Sequence, residues 1–230
     1  MGFSRYQVGA MPRVLSGVER ASLVRRTYGL VFLGIVAMLF GAAFTATQAS
    51  LISAVAAHPI ITFFVTMVPL WMAQTQARSF PRNIILTLLY TFLTGVWLAP
   101  MLVVYARMDP GALGQAGMLT FAAFGGLTLY ATFSRRDFSA WGGFFFVGLV
   151  VLLITGLALA FFPSAAALTW YSAAGVLVFS GLLVFDTWRI TRSGQFGDQD
   201  YVIAAVTIFV DLLNLFLFIL SLVGGGDRRR

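Results

Sequence analysis

Cysteine and lysine are both absent from the 230 residues, and histidine occurs once, at His58. Without cysteine there is no disulfide framework and no thiol chemistry. One imidazole with no thiolate also removes nearly all zinc, haem and iron–sulfur sites, which take nitrogen or sulfur ligands in sets. Charge is scarce too: 15 arginines and 8 acids make up 10% of the chain, where a soluble domain carries about 25%. That is too little to cover a water-soluble globule of this size. An ordinary soluble enzyme and a disordered chain are both excluded.

What is present is apolar. The chain is 60% hydrophobic and 15% aromatic, with a mean hydropathy of +0.91. This composition predicts an all-α integral membrane protein. The net charge of +7 would suggest nucleic acid as a partner of a soluble protein. In a membrane chain, arginine excess marks cytoplasmic loops beside anionic lipid, so membrane lipid is the expected partner and nucleic acid is not. A basic set made only of arginine, with many alanines and glycines, fits GC-rich bacterial coding and hence a bacterial inner membrane.

A spanning helix needs about 20 mainly apolar residues. Seven stretches qualify: Thr27 to Ala49, Pro59 to Gln76, Asn83 to Tyr105, Gln115 to Phe133, Trp141 to Phe162, Leu168 to Trp188 and Tyr201 to Val223. They form one domain over residues 27–223, between a basic N-terminal segment, 1–26, and a basic tail, 224–230. The first apolar run is longer than a signal-peptide core, so it reads as a retained anchor despite the small-residue pattern at Thr47-Gln48-Ala49. Small residues one turn apart, Ala37, Gly41 and Thr45 in the first span and Gly156 and Ala160 in the fifth, predict close helix packing.

Arginine placement predicts orientation. With the N-terminus cytoplasmic, the inner segments hold Arg5, Arg13, Arg20, Arg25, Arg26, Arg78, Arg82, Arg135, Arg136, Arg189 and Arg192. The outer loops hold Arg107, beside Asp109. The tail arginines Arg228, Arg229 and Arg230 resist this scheme, because seven spans place them outside. Trp141, Trp170, Trp188 and Tyr201 fall at span ends, where amphipathic rings prefer the headgroup region.

Only two charges fall inside these spans. Asp186 lies about a turn from the inner end of the sixth span, and Asp211 lies about 15 Å into the seventh at 1.5 Å per residue. A carboxylate at that depth costs on the order of 3 kcal/mol unless it faces protein or water, which marks it as functional. A plain packing role is the competing explanation: Asn214 would support Asp211 one turn on, and Arg189 would pair with Asp186 at i+3. The short loop Arg189 to Asp200 makes the two helices antiparallel neighbours. Two carboxylates in contact share a proton and titrate as a pair. Such a pair also attracts cations, but two aspartates supply only part of the six to eight oxygens of Ca²⁺. A weak, transient calcium site at Asp186 and Asp211 is therefore expected, not a storage site, and no cofactor. His58, before Pro59, reads as a solvated or capping group, and Asp198 and Asp200 as solvated residues ahead of the last helix.

The stretch Val178-Phe-Ser-Gly-Leu-Leu-Val-Phe-Asp186-Thr-Trp-Arg-Ile190, with Ala205-Val-Thr-Ile-Phe-Val-Asp211-Leu-Leu-Asn214-Leu-Phe-Leu, resembles the closing motif of the Bax inhibitor-1 family. Val24-Arg-Arg-Thr-Tyr28 and Tyr90-Thr-Phe-Leu-Thr-Gly95 are similar to other parts of it. The resemblance implies six helices surrounding a central last helix, and a pH-sensitive calcium leak with Asp186 and Asp211 as the gating pair. It also implies a basic latch after the second helix, for which Arg78 and Arg82 are the candidates. Ile60 to Thr66 lacks the glutamate that some members carry there. Some bacterial relatives imply another role, that of a non-transporting regulator of a membrane protease or stress pathway, contacted through the basic head. An intramembrane aspartyl protease is disfavoured, since Asp186 follows Phe185 and Asp211 sits in Phe-Val-Asp without glycines.

Overall fold

The computed structural model describes residues 17–226. Arg5 and Arg13 of the basic head, and the tail arginines, lie outside them. Eight α-helices and one short 3-10 turn follow in order: α1 Gly17–Ala46, α2 Ala49–Ala57, α3 Pro59–Thr75, α4 Arg82–Met108, α5 Pro110–Phe133, α6 Trp141–Phe161, α7 Ala165–Thr191, the turn Asp198–Asp200, and α8 Tyr201–Gly226. There is no strand among the described residues. This is an all-α integral membrane protein.

Six helices (α1, α4, α5, α6, α7 and α8) are each long and apolar enough to cross a bilayer. The expected second span, Pro59 to Gln76, is present as α3, but it passes as a span only together with the preceding helix α2. The two form a broken pair, bent by 98°, and only if that pair counts as one span does the chain cross seven times. The break has a local cause: Pro59 offers no backbone N–H, and its ring restricts the residue before it. His58 accordingly leaves helical geometry, at φ −130° and ψ 55°. The first helix also begins ten residues earlier than Thr27, so Arg20, Arg25 and Arg26 project from its opening turns.

Residues at one end of the bundle are tied together. Arg26 pairs with Asp198 at 3.5 Å and Arg78 with Asp200 at 3.2 Å, while Arg192 donates to the Thr132 carbonyl at 2.8 Å. The start of α1, the 76–81 turn, the end of α5 and the 192–200 loop therefore share one arginine-bearing end. Asp198 and Asp200 are ion-pair partners there, not the solvated residues expected. Gly194, at φ +71°, turns the 192–200 loop in a conformation that favours glycine. At the opposite end Asp109 caps α5, accepting from the Gly111 and Ala112 amides at 3.1 Å each.

The centre of the bundle is α8. It packs against α1, α3, α4, α5 and α7, whereas α6 meets α7 alone. Its buried residues Ala204, Ile208, Leu212, Leu215 and Ile219 recur at helical spacing along one seam of the core. Helices α1 and α4 approach each other closely. A Cβ on Gly41 would overlap the Phe92 carbonyl, and one on Gly95 would overlap the Met38 carbonyl. The small-residue face of the first span thus packs backbone to backbone, as its spacing implies.

Candidate functional site

Asp186 and Asp211 come together where α7 and α8 run antiparallel. On α7, Ser172, Gly175, Phe179, Leu182, Leu183 and Asp186 are all buried and recur at helical spacing, so the aspartate continues an otherwise apolar seam. On α8, Asp211 lies between Ile208 and Leu215 on the buried side. Two contacts register the helices toward the far end. The Ser172 and Ser221 hydroxyls hydrogen-bond at 2.8 Å, and Gly175 leaves room for the Phe218 ring, which a Cβ would strike.

Both carboxyls are buried, Asp186 at 5% and Asp211 at 6% exposure. Their carboxyl groups are neighbours across the α7–α8 interface. One oxygen of Asp211, Oδ2, is buried with no hydrogen-bond partner. A buried acceptor left unpaired is costly.

The cation at the site is Arg189, three residues along α7. Its Nη1 donates to Asp186 Oδ1 at 2.8 Å, and its Nε donates to Gln195 Oε1 at 3.0 Å. Its guanidinium carbon lies 5.5 Å from the Phe185 ring centroid and 5.3 Å from that of Phe196. Two aromatic faces and two acceptors therefore hold the group in place. Tyr28 Oη hydrogen-bonds Thr187 Oγ1 at 3.1 Å, joining α1 to α7 beside the pair.

The latch candidates from the 76–82 segment lie elsewhere. Arg78 is engaged by Asp200, and neither Arg78 nor Arg82 pairs with Asp186 among the described residues. Asp186 takes its cation from its own helix because an i+3 guanidinium reaches it without any loop closure. Asn214 does not support Asp211 either: its Nδ2 donates back to the Val210 carbonyl at 2.8 Å. His58 sits at the α2–α3 bend, remote from the pair in the chain and exposed.

Asn83 is a residue that span boundaries alone did not single out. Fully buried, it donates from Nδ2 to the Ala77 carbonyl at 2.7 Å and to Tyr201 Oη at 3.1 Å, and its Oδ1 accepts from the Ile84 amide at 2.8 Å. It fastens the start of α4 to the start of the helix carrying Asp211. The available cue was a lone amide at the head of an apolar run.

No group of three or more histidines, cysteines or carboxylates is placed to hold a metal among the described residues. The pair alone offers two carboxylates, too few to enclose Ca²⁺ without water or backbone oxygens.

The sequence matches the family described as "Inhibitor of apoptosis-promoting Bax1" over residues 20–228. An uncharacterized membrane protein of Vibrio cholerae is 32% identical over 212 residues, covering 90% of this chain and 91% of that protein. Bax inhibitor 1 of Schizosaccharomyces pombe is 31% identical over 171 residues, 73% of this chain and 62% of the yeast protein. Protein lifeguard 4 of Mus musculus is 30% identical over 171 residues, 74% of this chain and 70% of that one.

Proposed function

The chain belongs to the Bax inhibitor-1 family of membrane proteins, and from that membership we propose that it is a pH-sensitive cation leak gated at Asp186 and Asp211, with Ca²⁺ as the permeant ion. The observation that carries this reading is the contact between two buried carboxyls on adjacent helices, one of them holding an arginine. A proton shared by the carboxyls, together with the Arg189 guanidinium, fills the places a passing cation would take. Deprotonation of the pair leaves a negative site at the level of the bilayer, which attracts a divalent ion. Two carboxylates bind it weakly enough for it to leave again. Arg189, tethered by Gln195 and stacked on Phe185 and Phe196, acts as the gate partner. The membrane is the bacterial inner membrane, with the arginine-bearing end facing the cytoplasm.

Calcium flux into proteoliposomes, recorded across pH, tests the proposal. Asp186→Asn and Asp211→Asn should each flatten the pH dependence, because the pair then no longer exchanges a shared proton. Unchanged flux and unchanged pH dependence in both variants would refute it.

A further inference from the structure

Two cavities open at the arginine-bearing end, and they differ in how their arginines are occupied. The first, of about 540 Å³, lies between α1, the 77–84 segment and the start of α8, and holds Arg26 and Arg78. Both are neutralised, by Asp198 and Asp200 respectively. The second is a groove of about 730 Å³ between the opening turns of α1 and the C-terminal ends of α5 and α7. Its charged lining among the described residues is Arg20, Arg25 and Arg192, with no acid among them. None of these three arginines has an ion-pair partner among the described residues.

The three converge from separate parts of the chain. Arg20 and Arg25 stand on the α1 stripe that also carries Ala21 and Val24. Arg192 ends α7 and is anchored by its bond to the Thr132 carbonyl at the end of α5. Three guanidinium groups around one groove repel each other, and a bound anion removes that repulsion. Their planar donor forks match phosphate oxygens. Apolar surface adjoins the groove: Val24 lines it, and Phe133, next to Thr132, is 75% exposed.

We propose that this groove binds a phosphate-bearing anion, and its place between helix ends beside apolar surface favours the headgroup of an anionic phospholipid as the source. The site is independent of the aspartate pair. The full chain is compared with the double variant Arg20→Gln/Arg25→Gln, whose side chains make no ion pair among the described residues. Arg135→Gln/Arg136→Gln is the control, removing the same charge from the same end. Native mass spectrometry follows retention of phosphatidylglycerol from mixed nanodiscs with phosphatidylcholine, and inorganic phosphate is titrated separately in detergent.

The groove variant should lose phosphate-ligand affinity by roughly 25-fold, about fivefold for each arginine near a membrane surface, while the control keeps it. Retention of phosphatidylglycerol unaffected by inorganic phosphate identifies the lipid source. Saturable binding of inorganic phosphate, lost in the groove variant, identifies a soluble source and still supports the site. Equal losses in the two double variants would reduce the effect to diffuse attraction and overturn the proposal, as would failure of both phosphate probes to bind the unaltered protein. Matching melting temperatures for the three proteins confirm that the comparison reads binding, not folding.

Discussion

Arg189 and Asp186 form an ion pair of 2.8 Å within a single turn of α7, and through it Asp186 brings its own counter-ion to the contact with Asp211. Cation and carboxylate therefore move as one body with α7. A latch from another helix would have to be pulled away from the acid. In the proposed gate, release needs only a rotamer change of one side chain, which Gln195 and two rings hold.

Replacing Arg189 tests that relationship. Arg189→Gln leaves Asp186 buried without its charge-assisted bond, at a cost of about 2 kcal/mol, and lowers the melting temperature in detergent. On the proposed function it should also shift the pH profile of calcium flux in proteoliposomes. Arg189→Lys keeps the charge but loses the planar fork and ring contacts, so its profile falls between the two.

Arg78→Gln and Arg82→Gln serve as the contrast. Arg78 is bound to Asp200 at an exposed position, where an ion pair contributes about 0–1 kcal/mol. Both variants are expected to keep the melting temperature within a few degrees and the flux profile of the unaltered protein. A changed profile in either would return the latch to the 76–82 segment.

Asn83→Ala removes three hydrogen bonds at once and leaves the Ala77 carbonyl and the Tyr201 hydroxyl without that donor. The expected loss is about 2 kcal/mol, read as a lower thermal midpoint. Because Asn83 joins α4 to the start of α8, the loss should be accompanied by faster amide exchange at the N-terminal turns of α8.

Gly95→Ala forces a methyl group into the Met38 carbonyl. Overpacking of this kind costs about 1–3 kcal/mol, and here the neighbour is backbone, which cannot swing aside. The variant should lose several degrees of thermal stability. Gly114→Ala, where an added Cβ meets nothing within 4 Å, should change stability little.

Much of this architecture was legible in the residues because hydrocarbon imposes a simple rule: long apolar runs become helices, and an acid inside one must face protein. Asp186 and Asp211 followed from that rule, and both are buried. The α2–α3 bend did not, because Ala49–Ala57 is apolar and uncharged and differs in composition little from a span. Only His58-Pro59 marked the break. The cation paired with Asp186 was harder to read for another reason. Sequence spacing offered Arg189 as a packing neighbour and the resemblance offered Arg78 and Arg82, and the choice turned on loop geometry that spacing does not encode. Asn83 and the Arg20, Arg25 and Arg192 groove depend on side chains from distant segments meeting, which no local pattern records.

The position of α8 has a consequence for how the protein is made. Five of the other helices pack around it, yet it is synthesised after all of them. Until the ribosome passes Asp200, the nascent chain has its outer wall in the bilayer and nothing to build it on. Final assembly must therefore wait for the last helix, and Asp211 enters the membrane only when Asp186 is already there to receive it.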